Sequence, residues 1–117
     1  MKPLFLTVLP LLAIILSACS PHPASGTWTA PGASNDGINK VVVMYEGRAE
    51  LFSPASEEAL WRCFWGGKSK QNIAMECVFA ANTDIESRFT LDTQGGDKAT
   101  LRKAGEFVAE FSKTAEQ

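Results

Sequence analysis

The chain has 117 residues, 45% of them hydrophobic, with 11 basic against 13 acidic side chains and one histidine. That length holds one small domain. A formal net charge of −2 with no basic stripe argues against nucleic acid as a partner.

Met1-Lys2 opens the chain with one positive charge, and an apolar run follows from Leu4 to Leu16, broken by Thr7 and Pro10. Small residues then precede Cys19, the layout of a cleaved secretory signal. The run is about a dozen residues, short of the roughly 20 that span a bilayer, and Pro10 would kink a helix. Leu16-Ser17-Ala18-Cys19 resembles the lipobox of bacterial lipoproteins at all four positions. An ordinary signal peptide with an incidental cysteine is the alternative. The lipoprotein resemblance implies that residues 1–18 are removed and that the Cys19 thiol carries a diacylglycerol. Two or more acyl chains hold a protein on a membrane stably, where one does not. Ser20 resembles outer-membrane sorting, because inner-membrane retention signals usually have Asp there. The expected place is the outer membrane, lipid-anchored and facing the periplasm.

Removing residues 1–18 leaves 99. A domain of that size buries little more than about 60% of its unfolded-chain surface, so a covalent staple is useful. With Cys19 acylated, Cys63 and Cys77 remain as a pair in an oxidising compartment. Those two cysteines and the lone His22 do not compose a zinc site, and no metal or other cofactor is expected.

From Ser20 to Asn39 the sequence is mostly Ser, Pro, Gly, Ala, Asn and Thr, which reads as a flexible tether over 19–39. His22, between two prolines, reads as solvated. Trp28 in Gly-Thr-Trp-Thr-Ala is the exception and suits a first strand that plugs the domain. The β domain is expected over 40–113, with 114–117 frayed.

After Asn39 the hydrophobic period is two. Lys40–Tyr45 and Arg48–Phe52 read as a hairpin. Glu46-Gly47 suits a two-residue turn, whereas a three-residue turn gathers Val41, Val43, Tyr45, Ala49 and Leu51 on one face; the register stays open. Ser53 to Glu58 reads as a capped turn or one short helix, with Ser53 as N-cap and Pro54 at N1.

Leu60 to Ala80 reads as a second hairpin. Setting Cys63 opposite Cys77 places Trp61 against Phe79 and Trp65 against Met75, so one face is wholly apolar. Arg62 then meets Val78 and Phe64 meets Glu76 on the other face. Ile85, Ser87, Phe89 and Leu91 alternate with Glu86, Arg88, Thr90 and Asp92 as a half-buried strand. A last hairpin joins Lys98–Lys103 to Glu106–Lys113. A three-residue connection there pairs Leu101 with Phe107, Ala99 with Ala109, Arg102 with Glu106 and Lys98 with Glu110. The fold class is all-β: an antiparallel meander of seven strands, or eight with the Trp28 segment, hiding its edges as a small barrel or strongly curled sheet.

Nucleophilic catalysis needs a Ser, Cys or Thr beside a base, and the one histidine falls in the tether while both domain cysteines are paired. Glu76, Glu86 and Asp92 alternate outward as solvated surface. The glycine pairs Gly66-Gly67 and Gly95-Gly96 read as turns. Trp61 and Trp65 share a face with Met75 and Phe79 and read as core. Phe64, outward and beside Arg62, Lys68 and Lys70, suits the anchoring of a partner.

An anchored β meander resembles the lipocalin-like small lipoproteins. In layout it is also similar to the membrane-bound inhibitors of c-type lysozyme, although the Ser-Gly-x-x-Tyr stretch that those inhibitors use is absent here. The expected function is a non-catalytic binding module for a protein or small ligand. The alternatives are a structural or assembly accessory of an envelope complex, working through Phe64 and Arg62, and a lysozyme-inhibitor-like protein.

Overall fold

The computed structural model describes residues 22–31, 36–94 and 96–115. The apolar run, Leu16-Ser17-Ala18 and Cys19 lie outside the described residues. Among the described residues eight strands follow in chain order: β1 (Gly26–Thr29), β2 (Lys40–Val43), β3 (Arg48–Phe52), β4 (Trp61–Gly67), β5 (Asn72–Phe79), β6 (Asn82–Asp92), β7 (Lys98–Lys103) and β8 (Glu106–Ala115). Each pairs antiparallel with the next, and β1 pairs with β8, so the all-β meander is a closed barrel. Closure removes the free edges that an open sheet must protect.

The two-residue period explains which side faces in. Val41, Val43, Ala49, Leu51, Ile73, Met75, Phe89, Leu91, Ala99 and Leu101 are buried. An eight-stranded barrel is just wide enough for side chains to fill, and Trp28, Phe89 and Phe111 are among the largest that fill this one. Trp61 packs edge-on against Phe79 and Phe89, with ring centroids 5.2 and 5.4 Å apart. Arg62, Glu76, Glu86 and Arg88 face out. Apolar inside and charged outside is the reverse of a barrel whose outer wall faces lipid. Among the described residues no helix is long and apolar enough to cross a membrane.

The β4–β5 register is Trp61↔Phe79, Arg62↔Val78, Cys63↔Cys77, Phe64↔Glu76 and Trp65↔Met75, as the alternation requires. Cys63 and Cys77 form a disulfide across this pair, with their Cα atoms 4.0 Å apart. The β2–β3 loop takes the three-residue form. Met44 N donates to the Arg48 carbonyl at 2.8 Å, and Gly47 sits at φ 110° in the left-handed region. Val41 then faces Leu51 and Val43 faces Ala49, whereas Tyr45 stands in the turn, 70% exposed.

Several expectations are corrected. The barrel begins at Gly26 and not at Lys40: β1 pairs with β2 and β8, and Trp28 is fully buried, so the stretch 19–39 is not all tether. The strand β8 runs to Ala115, and Thr114 Oγ1 donates to the Thr27 carbonyl at 3.1 Å, so Thr114 and Ala115 are not frayed. Of the two forms expected for residues 53–58, the structure has the turn and not the helix. There Ser56, not Ser53, supplies the acceptor, taking the Glu58 N–H at 3.0 Å.

The last hairpin also differs. Ala104 and Gly105 form a two-residue turn, both at positive φ (51° and 89°), and the register shifts between Leu101 and Arg102. Leu101 faces Ala109, Ala99 faces Phe111 and Arg102 faces Phe107. The extra residue is a bulge that turns Phe107 outward, 57% exposed, and buries Val108 and Phe111. Burying apolar surface is worth about 1.5–3 kcal/mol per large side chain. That outweighs the expected cross-strand ion pairs, which are worth under about 1 kcal/mol each. Ile85 is 47% exposed, because residues 83–85 are extra in β6, between the pairs Val78↔Glu86 and Phe79↔Asn82.

Candidate functional site

The outward residues of β3 to β6 form two ladders. Arg48, Phe64, Glu76 and Arg88 lie in register across the four strands, and Glu50, Arg62, Val78 and Glu86 form the next row. Charges alternate in sign along each row around the apolar Phe64 and Val78. Arg88 and Glu76 form an ion pair at 3.0 Å, and Arg62 approaches Glu50 at 3.9 Å. Pairs this exposed contribute about 0–1 kcal/mol, so they order the surface more than they stabilise the barrel.

Phe64 is 71% exposed. A groove of about 500 Å³ on one flank is lined by Met44, Ala49, Arg62 and Val78. A second, of about 430 Å³, is lined by Trp65, Gly66, Lys68, Ala74 and Glu76. The aromatic ring is therefore a ridge between two shallow depressions. The Cys63–Cys77 bridge lies on the inner side of the same strand pair and backs the ridge covalently. Of the four residues singled out in the sequence, Phe64 and Arg62 share one groove, and Lys68 borders the other. Lys70 is exposed in the β4–β5 loop and lines neither groove.

A second constellation closes one mouth of the barrel. His22 is not simply solvated. Its Nε2 lies 2.8 Å from the Ser69 carbonyl, and its Nδ1 accepts from Ala24 N–H at 3.0 Å. A carbonyl on one side and an N–H on the other select the tautomer with the proton on Nε2. The ring stands edge-on to Trp65, with centroids 5.7 Å apart. Lys113 Nζ donates to the Pro23 carbonyl at 3.2 Å, and the Trp28 indole donates to the Ala24 carbonyl at 2.9 Å. Residues 22–25 thus cross the mouth and are clasped from both sides. Trp65, half-buried, donates its indole N–H to the Met44 carbonyl at 2.7 Å. At the other end Lys103 covers Trp61, with Nζ 5.1 Å from the ring centroid and 3.8 Å from Asp36.

Among the described residues no three His, Cys, Asp or Glu side chains come together as metal ligands. Comparison with protein-family models, with curated proteins and with solved structures finds no match in any of the three. Fold and surface together define a closed β-barrel with a filled interior and an exposed aromatic ridge on its wall.

Proposed function

We propose that this protein is a lipid-anchored, non-catalytic binding module of the outer membrane, facing the periplasm and engaging another protein through the outer wall of β3 to β6. The observation that carries the reading is Phe64, 71% exposed between two grooves on a disulfide-backed strand pair. An aromatic anchor ringed by polar groups is the usual centre of a binding hot spot. Side chains occupy the barrel interior, which favours a protein surface over a small ligand held inside. An assembly role in an envelope complex would use the same wall, and differs only in what the partner does.

The test is site-specific photo-crosslinking in cells. A photoreactive phenylalanine analogue at position 64 is expected to give a discrete adduct with one envelope protein. The same analogue at Arg102, on the outer side of β7, is expected to give none. Adducts that are absent, or identical from both positions, would overturn the assignment of this wall.

A further inference from the structure

The chain enters the barrel at a defined point. His22 reaches the β4–β5 loop at the Ser69 carbonyl, and Lys68 and Lys70 flank Ser69, both exposed. Gly67 permits the approach: a Cβ there would sit 3.3 Å from the imidazole Cδ2. Cys19 lies three positions before His22. Three residues reach at most about 11 Å. A lipid on Cys19 therefore holds this loop within a short distance of the headgroups, close to the Debye length of about 8 Å at physiological salt.

We propose that this end of the barrel rests on the bilayer, with Lys68 and Lys70 against anionic phospholipid headgroups and Tyr45 at the water–lipid boundary. The proposal rests on the anchored reading given above, and it moves the two lysines from the protein partner to the membrane. Tyr45 belongs to the same end. Its turn is joined to β4 by the Trp65 indole on the Met44 carbonyl at 2.7 Å and by Trp65 N on the Gly47 carbonyl at 2.9 Å. A tyrosine with an apolar ring and a polar tip suits a membrane interface. Glu46 in that turn is ion-paired with Arg48, and Asp97 adjoins Lys98. At the opposite end the described loop residues 30–31, 36–39, 53–60, 80–81 and 104–105 contain Asp36, Glu57 and Glu58. The strand ends beside them add Glu106, Lys40 and Lys103, the last paired with Asp36 at 3.8 Å, so acidic groups outnumber basic ones there. An anionic surface attracts the first end and repels the second. The Phe64 wall then stands to the side, clear of the lipid.

The test reconstitutes the full chain, as processed and recovered from membranes, into phosphatidylcholine vesicles with or without phosphatidylglycerol, and reads amide exchange by mass spectrometry. A lysine near an anionic surface favours the docked state roughly fivefold. Phosphatidylglycerol is therefore expected to slow exchange in 44–47 and 68–71 by up to about thirtyfold. Loops 53–60 and 104–105 are expected to exchange alike in both vesicles. Salt near 1 M, where the Debye length is about 3 Å, and the Lys68→Gln/Lys70→Gln double variant are each expected to abolish the difference. Equal exchange of 68–71 in both vesicles, or slowing at 53–60, overturns the proposal. The same spectra report the anchor: an acyl mass on Cys19 without lipid-dependent slowing refutes the orientation alone, whereas no acyl mass refutes the anchored reading and the orientation with it.

Discussion

His22 and Ser69 are 47 positions apart in the chain, yet the imidazole of one lies 2.8 Å from the carbonyl of the other. The bond carries the segment before β1 across the barrel mouth, with Ala24 fully buried beneath it. Replacing His22 with Ala removes two hydrogen bonds and the edge contact to Trp65. At about 1 kcal/mol net per hydrogen bond, stability is expected to fall by about 2 kcal/mol. A urea midpoint lowered to match, with a red-shifted tryptophan emission, is the expected record; an unchanged midpoint would count against a clasped mouth.

The Cys63–Cys77 bridge closes a short loop, with a sequence separation of 14. Chain entropy gives about 3 kcal/mol for a loop of that size. Cys63→Ser is expected to lose an amount of this order in chemical denaturation, and a reductant should bring the unmodified protein down to the same curve. A variant as stable as the parent would mean that the bridge constrains little.

Trp28→Ala is expected to cost about 3–5 kcal/mol, the range for emptying a fully buried aromatic site. Deleting everything before Lys40 goes further, because it unpairs both β2 and β8. That fragment is expected to give no cooperative thermal transition. A sharp transition from it would show that the barrel closes without its first strand.

Ala104 stands at φ 51° in the β7–β8 turn, followed by Gly105 at φ 89°. Two successive positive φ values favour Asn-Gly, and left-handed backbone penalises alanine by roughly 1–2 kcal/mol. Ala104→Asn is therefore expected to raise stability by up to about 1 kcal/mol. Calorimetry checks it, and a lowered melting temperature would be the contrary result.

The partner-anchoring role proposed for Phe64 can be tested apart from folding. Truncating it to Ser removes an exposed side chain, so stability should change by less than about 0.5 kcal/mol. A neighbouring cross-linker at Arg48, which lies in register with Phe64, should lose its partner adduct. Retained adduct in the Phe64→Ser variant would place the binding energy elsewhere.

The two long hairpins show what alternation can and cannot carry. In β4–β5 the cysteines, Trp61, Phe79, Trp65 and Met75 all demand one phase, so a slip of one residue would expose every one of them. In β7–β8 the phase changes midway at a bulge, which leaves no mark in hydrophobicity until it is known that Val108 is buried and Phe107 is not. Cross-strand charges pointed to the wrong register there because they are solvated. The exposed ridge at Phe64 was legible from the same parity that placed Cys63 inside. The clasp at His22 was not: its ring meets a loop distant in sequence, and nothing in Pro21-His22-Pro23 names that partner.

The pairing of Trp28 with Lys113 across β1 and β8 joins the earliest strand of the barrel to the latest. Contacts so distant in sequence form late, because the intervening loop must close before any native hydrogen bond rewards it. Until β8 has been made, Trp28 has no closing neighbour on one side and remains a sticky apolar surface. The docking of the two ends is therefore expected to be a late folding event.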